Sequence, residues 1–378
     1  MYHVKTMNKI SKIGLAELDD RFEISDTMEH EDAILVRSAK LHDYDFPAEL
    51  KCIARAGAGV NNIPLDRAAD AGIVVFNAPG ANANGVKELT IAALLLASRK
   101  ISQGITWVKE QSAAGADVAA VVEKGKSAYV GPEIQGKTLG VVGLGAIGVL
   151  VANAAAALGM KIVGYDPFLS VTHALNLTPG VEVVDTLPEL YAKADYISLH
   201  LPMNDATRGT LNEAAFAAMK DGVRIVNLAR GELVDTSALK AALDSGKCAA
   251  YVTDFPNSET AAMEGVVAIP HLGASTPESE DNCAMMAARE VKEYLDNGSI
   301  INSVNLPNLT MAWAAKTRVC VISKGADAAA IAGAVPAVAS ASNTRGEYAY
   351  TILDTDAAVD EAAIAAIPGV LRVRVLTR

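Results

Sequence analysis

Three side chains in this sequence have the chemistry of a proton-coupled redox site. His271, in Ile269-Pro-His-Leu-Gly273, can accept a proton near neutral pH. Arg230, in Val226-Asn-Leu-Ala-Arg-Gly231, can grip a carboxylate through two parallel hydrogen bonds. Glu259, in Asp254-Phe-Pro-Asn-Ser-Glu259, can bond an imidazole, hold its tautomer and raise its pKa. A base, a cation and an orienting acid are what hydride removal from an alcohol carbon requires. Each residue alone has an ordinary reading: a core or capping histidine, a surface ion pair, a solvated acid. What lifts them is their joint placement just after apolar runs that read as strands, at the edge where such sheets bind ligands.

The stretch Thr138-Leu-Gly-Val-Val-Gly-Leu-Gly-Ala-Ile-Gly148 supplies the other half of that chemistry. An apolar run ends in Gly143, Gly145 and Gly148, spaced G-x-G-x-x-G, and an Ala-rich helical pattern follows. A second apolar run, Lys161 to Tyr165, leads into Asp166, 18 residues past the last glycine. Strand, tight turn, helix, strand and acid stand in the order of a dinucleotide site. Gly143 permits the turn, Gly145 lets backbone approach a pyrophosphate, and Gly148 lets helix pack on strand. The free N–H groups at the helix start face the phosphates. Asp166 would accept hydrogen bonds from ribose hydroxyls and repel a 2′-phosphate, which favours NAD over NADP. Its ordinary reading is a turn residue before Pro167.

The elements that must position these groups alternate between strand and helix. Runs at 32–37, 51–55 and 72–77 each end in turn residues, as buried parallel strands do. Residues 87–100 read as a buried helix, and 102–137 as polar and helical. Further strands are expected near 181–184, 195–199, 223–228, 249–252 and 266–269. Residues 274–297 read as a long returning helix, with Pro277 at its start and Gly298 at its end. After a linker at 301–315, strands are expected at 318–322, 348–354 and 369–376, with an Ala-rich, helical stretch between the first two. The fold class is α/β: two Rossmann-like, doubly wound parallel-sheet domains plus a small C-terminal α+β domain. The expected domains are 1–92 with 277–305, 93–276, and 316–378. Sixty-odd residues are marginal for a lone domain, so the tail is expected to pair with another copy.

Composition narrows the classes. The chain has 378 residues, 51% hydrophobic and 20% charged, which is globular and not disordered. A net charge of −11 argues against nucleic-acid and anionic-membrane partners. The four cysteines form no C-x-x-C and read as reduced thiols of a cytoplasmic protein. No apolar signal segment or membrane span is expected, and no metal site.

The glycine turn, Asn227-Leu-Ala-Arg-Gly-Glu-Leu-Val-Asp235 and His271-Leu-Gly-Ala-Ser-Thr276 together resemble the D-isomer-specific 2-hydroxyacid dehydrogenases. Arg55-Ala-Gly-Ala-Gly-Val-Asn-Asn62 and Asn77-Ala-Pro-Gly-Ala-Asn82 strengthen the likeness, and the tail around Arg345 to Asp354 looks like an ACT module. The resemblance implies Arg230, Glu259 and His271 as the catalytic set. It implies NAD contacts at Gly143, Gly145, Ala146, Ile147, Gly148, Asp166, His200, Leu201, Pro202, Leu228, Ala229, Arg230, Asp254, His271, Gly273 and Ala274. The implied reaction oxidises 3-phosphoglycerate to 3-phosphohydroxypyruvate. Its phosphate and carboxylate would be met by Arg37, Ser38, Lys40, Arg55, Gly57, Asn77 and Gly80. Lys40 also reads as a plain solvent-exposed lysine. Rival readings are a reductase of glyoxylate, hydroxypyruvate or another 2-keto acid, and an NAD-sensing corepressor-like binding protein. The family implies a homodimer or homotetramer. ACT modules that respond to serine carry His-x-Asn after their first strand. Here Ser323-Lys-Gly325 and Pro336 stand at the effector positions, so the tail is expected to assemble subunits without sensing serine.

Overall fold

Short runs of β-branched and aliphatic residues, buried on both faces, become the strands of two parallel sheets. The computed structural model describes residues 1–378 and divides into two units, 1–82 with 277–378, and 83–276. In the first unit β1 (Tyr2–Thr6), β2 (Phe22–Ser25), β3 (Ala33–Val36), β4 (Cys52–Arg55) and β5 (Val74–Asn77) form a sheet of order β2-β1-β3-β4-β5. All its pairings are parallel, with Val36 opposite Arg55 and Arg55 opposite Asn77. The carboxyl ends of β3, β4 and β5 therefore lie level.

The second unit holds β6 (Thr138–Val142), β7 (Lys161–Tyr165), β8 (Glu182–Val183), β9 (Tyr196–Leu199), β10 (Val223–Asn227), β11 (Cys248–Thr253) and β12 (Val266–Ala268). Their order is β12-β11-β10-β9-β6-β7-β8, the doubly wound arrangement, with its switch point between β6 and β9. Val142 pairs with both Leu199 and Tyr165, Leu199 with Asn227, Asn227 with Thr253, and Thr253 with Ala268. Six strands thus end at one level, and the residues that follow them step off together.

The first boundary falls at 82/83 and not at 92/93. Helix Ala83–Ser98 is one continuous element, and its Val86, Ala93, Leu94 and Ala97 share a core with Leu139, Val149 and Val151 of the second unit. A cut at 92 would expose that packing. Residues 101–113 and 118–125 are helices, and neither buries any residue. Helix Pro277–Asn297 returns the chain to the first unit, where Cys283, Ala287, Val291 and Tyr294 pack against the core of the first sheet.

The tail forms β13 (Thr317–Lys324), β14 (Ala339–Arg345), β15 (Tyr348–Thr355) and β16 (Val370–Thr377), an antiparallel sheet of order β14-β15-β13-β16. With helices at 328–332 and 361–365 this is a β-α-β-β-α-β motif. The Ala-rich stretch is only partly helical: β14 lies within it, because the edge of β15 offers it a full antiparallel ladder. Much of the tail's sheet is covered within the chain itself, although no residue of β14 is buried. Cys320, Ile322, Tyr350 and Ile352 join the core of the first unit, while Val319, Val321, Leu353 and Ile364 pack on the other side. Its cations also finish the returning helix. Arg374 donates to the carbonyls of Tyr294 and Leu295 at 3.0 and 2.9 Å, and Arg318 to that of Asn297 at 2.9 Å. Those are the orphan acceptors at the negative end of the helix dipole. Lys324 and Tyr348 both hydrogen-bond Asp70 at 2.7 Å, so the residue between the expected effector positions Ser323 and Gly325 serves as a clasp within the chain.

Candidate active site

The glycine turn opens the level edge of the second sheet. Gly143 has φ +94°, a left-handed conformation that a side chain would strain, and a Cβ there would lie 2.6 Å from the His200 carbonyl oxygen. A Cβ on Gly148 would overlap the Gly143 carbonyl oxygen. Gly145 differs, since a Cβ there would meet nothing within 4 Å. Gly145 is the N-cap of helix Ala146–Ala157 and supplies no capping side chain, so the first-turn amides at Ala146 and Ile147 remain available to an anion. Asp166, one residue past β7, accepts from the Leu144 and Phe168 amides at 2.8 Å each. It therefore serves the turn as well as lying beside it.

Asp254 follows β11 and is 1% exposed. Its Oδ2 accepts from the Gly273 amide at 3.0 Å, while Oδ1 has no partner. Burial pushes this carboxyl above its usual range, opposed by the Gly273 N–H and by nearby His271. An unpartnered buried oxygen is costly unless a ligand donor meets it. The open side of Gly145, the uncapped helix start and this orphaned oxygen together fit a dinucleotide. His200, after β9, bonds the Ser198 hydroxyl through Nε2 at 2.8 Å, and burial lowers its pKa to about 4. It is thus a neutral wall of the site, and Leu201 and Pro202 continue it.

Arg230 stands three residues past β10 and His271 three past β12. Both pack on Phe255: the guanidinium carbon lies 5.1 Å from the ring centroid, and the imidazole centroid 4.3 Å from it. Buried Asn227 fixes the turn between Leu228, Ala229 and Arg230, donating to the Arg230 carbonyl at 2.8 Å and accepting from the Ala229 amide at 3.1 Å. His271 is exposed, and Ala274 lies half-buried beyond it. The expected Glu259–His271 pair is not formed. Glu259 is exposed, its amide held by Asn257 Oδ1 at 3.0 Å, and its carboxylate helps, after Asp244, to hold Lys240 charged.

In the first unit the other candidates also follow strand ends. Arg37 forms an ion pair with Glu280 at 2.6 Å, and its carbonyl accepts from Arg55 Nε at 3.1 Å. Gly57, at φ +156°, leaves room for the Arg55 guanidinium, which a Cβ would crowd at 2.8 Å. Asn77 donates to the Ala58 carbonyl at 2.5 Å, and Gly80 turns at φ +78°. Lys40 is exposed and forms no ion pair, as its plain reading holds. The amides of Arg37, Ser38 and Ala39 all donate to Asn8 Oδ1, at 3.1, 2.9 and 2.9 Å. The Ser38 amide is thereby committed. Asn8, Asn227, Phe255 and Glu280 were not singled out by sequence reasoning. For Phe255 a signal existed, an aromatic directly after the acid that ends a strand; for the others residue type alone carries none.

Residues 91–273 match the family model described as D-isomer specific 2-hydroxyacid dehydrogenase, NAD binding domain. The D-3-phosphoglycerate dehydrogenase of Methanocaldococcus jannaschii is 36% identical over 315 residues, 81% of this chain and 58% of that protein. That of Bacillus subtilis is 36% identical over 329 residues, 82% of this chain and 60% of that protein. The chain thus spans somewhat over half the length of these curated relatives. Among solved structures, an NAD+-bound 3-phosphoglycerate dehydrogenase of Entamoeba histolytica matches with TM-score 0.62 and 26% identity, covering 82% of this chain and 99% of that one. A glyoxylate reductase of Paecilomyes thermophila matches with TM-score 0.66 and 27% identity, covering 80% and 98%.

Proposed function

We propose that this chain, whose residues 91–273 belong to the D-isomer-specific 2-hydroxyacid dehydrogenase family, is an NAD-dependent dehydrogenase that oxidises 3-phospho-D-glycerate to 3-phosphohydroxypyruvate. The observation that carries the reading is the shared edge: a base and a guanidinium stand on one aromatic ring, beside an unpartnered buried carboxylate oxygen. The D-3-phosphoglycerate dehydrogenases it resembles support the substrate.

NAD, when bound, supplies the nicotinamide that accepts the hydride from the alcohol carbon. The chain's own residues do the rest. Asp254 Oδ1 takes a donor from the cofactor and orients it. Arg230 binds the substrate carboxylate and polarises the forming carbonyl. A ring nitrogen of His271 takes the hydroxyl proton as the C–H bond breaks. Phe255 holds both side chains by ring contact. Arg37 and Arg55, at strand ends of the first unit, are the cations that the family likeness implies for a phosphate in a chain of net charge −11. Glu259 acts by turning toward His271 in the working enzyme.

NADH formation from NAD and 3-phosphoglycerate tests the reading. Equal or faster turnover of D-glycerate or D-lactate would instead favour a 2-keto acid reductase, the alternative that likeness to the glyoxylate reductase supports. We also read the protein as a cytoplasmic homo-oligomer. No helix is long and apolar enough to cross a membrane, and all four cysteines are unpaired and buried. Ile101 and Ile105 stand 44% and 53% exposed on helix Ile101–Ala113, which buries nothing of its own. Light scattering on the purified chain should give a dimer or tetramer mass.

A further inference from the structure

Glu290 sits on helix Pro277–Asn297 and is 6% exposed. Its Oε1 accepts from Asn302 Nδ2 at 2.7 Å, and its Oε2 has no partner. It lines a cleft of ≈630 Å³ in the first unit, together with Gly80, Ala81, Met285, Met286 and Ile301. Asn282 and Asn302 add neutral polar groups to the wall, and the two methionines are unbranched side chains that re-pack readily around a guest. A second acid, Glu293, stands at the same cleft, its Oε2 accepting from Asn297 at 2.9 Å. The one cation of the lining, Arg289, is drawn away to Glu17 at 2.7 Å.

We propose that this cleft is a binding site for a small organic cation, a primary ammonium on a short apolar body, received by Glu290. The charges decide the class. An anion would meet the Glu293 carboxylate, a second carboxylate once Glu290 ionises, and no free cation. A metal ion would find too few ligands, since no cluster of three or more His, Cys, Asp or Glu side chains exists in the structure. A neutral apolar guest would leave Oε2 unsatisfied, at the cost of a buried orphan acceptor. An ammonium donates to Oε2, and its alkyl part covers the methionines and Ile301.

The site also touches the loop that follows β5. Gly80 and Ala81 form part of its wall, and the Asn302 carbonyl accepts from the Asn77 amide at 3.5 Å. Asn302 holds its left-handed φ of 59° with its side chain tied to Glu290. A guest on Glu290 therefore bears on the strand-end loop that carries Asn77 and Gly80.

Burial pushes the Glu290 carboxyl up to about 8, with the Asn302 hydrogen bond pulling the other way. The groups that face it are Asn302, the outward-turned Arg289 and Glu293. The acid is thus neutral near pH 7 and must release a proton to receive a cation. An alkylammonium stays charged to about pH 10, so its affinity should rise about tenfold between pH 7 and pH 9.

The test is calorimetric titration of the full chain with n-butylammonium, with n-butanol and butyrate as comparisons. The expected result is one saturable site per chain, about tenfold tighter at pH 9 than at pH 7, with proton release at pH 7. Glu290→Gln keeps the acceptor for Asn302, and should lose the site with an unchanged melting temperature. Absence of saturable binding overturns the proposal. So does equal binding by n-butanol, equal binding by the Gln variant, or a pH-independent affinity in the unaltered chain. The readout is binding and not turnover, so it stands or falls apart from the dehydrogenase reading.

Discussion

Gly145 and Gly148 make opposite demands on the chain, and replacing each by alanine separates cofactor binding from folding. Gly145 has φ −77° and ψ −162°, extended backbone that any residue adopts, and its Cβ position is open. Alanine there trades a weaker N-cap preference against lower unfolded-state entropy, a net change under about 1 kcal/mol. For a domain of this size that is at most roughly 2–4 °C in melting temperature. The new methyl instead fills the approach to the helix amides. An overpacked contact costs roughly 1–3 kcal/mol, and at about 1.4 kcal/mol per decade this weakens NADH roughly 5- to 150-fold. Gly148→Ala drives a methyl into the Gly143 carbonyl and toward Val141 Cγ1 at 3.4 Å. It should destabilise the domain by a similar 1–3 kcal/mol, or roughly 2–12 °C. Thermal melts and NADH fluorescence titrations read both variants. NADH binding by Gly145→Ala within twofold of the unaltered chain refutes the pyrophosphate approach at that glycine, and a melting order reversed between the two refutes the packing argument.

Other outcomes follow from the same geometry. His271→Ala should lower kcat by roughly 10²–10⁴ while NADH still binds, because it removes the proton acceptor and only one of many expected cofactor contacts; retained turnover would exclude the base. Glu280→Gln frees Arg37 from its 2.6 Å ion pair. A surface pair is worth about 0.2–1 kcal/mol, so KM for 3-phosphoglycerate should fall roughly 1.4- to 5-fold, and KM for an unphosphorylated acid should stay put. Arg318 and Asp354 are both fully buried and paired at 2.7 and 2.9 Å. Asp354→Asn leaves a buried guanidinium without its counter-charge and should cost roughly 3–5 kcal/mol in urea unfolding, while joint replacement of the pair by Met and Leu recovers most of it. A loss below 1 kcal/mol for the single variant would contradict that accounting.

Local signals explain what sequence reasoning reached. The βαβ unit from Thr138 to Asp166 was legible because glycine spacing, helix pattern and terminal acid agree with one another. Strand β1 was not, since Tyr2-His-Val-Lys-Thr6 buries only Val4 and looks like an ordinary amino terminus. Strand β14, Ala339-Ser-Ala-Ser-Asn-Thr-Arg345, has a single β-branched residue; its partner β15 makes it a strand, and that partnership is invisible locally. The same holds for the tail's docking on its own chain, where Cys320, Ile322, Tyr350 and Ile352 join the first unit's core and Asp70 meets Lys324 and Tyr348, all far apart in sequence.

The strand register also explains which candidate residues came together. Asp254 is one residue past β11, and Arg230 and His271 are each three past their strands, so the level ends of the sheet dictate where they stand. Glu259 is six past β11. By then Asn257 has turned the chain, binding the amides of Glu259 and Thr260 at 3.0 and 2.8 Å, and the loop sets the direction of the acid. A sheet positions what it ends in, and a loop positions what lies further on. The residues nearest the strand ends are therefore the ones that can be preorganised for chemistry. For Glu259 to orient the imidazole, as the proposed mechanism has it, the loop has to move, the kind of step that sets turnover in many enzymes. Shortening the loop between Pro256 and Glu259 should thus lower kcat and leave NADH affinity untouched, since Asp254 stays anchored on its strand.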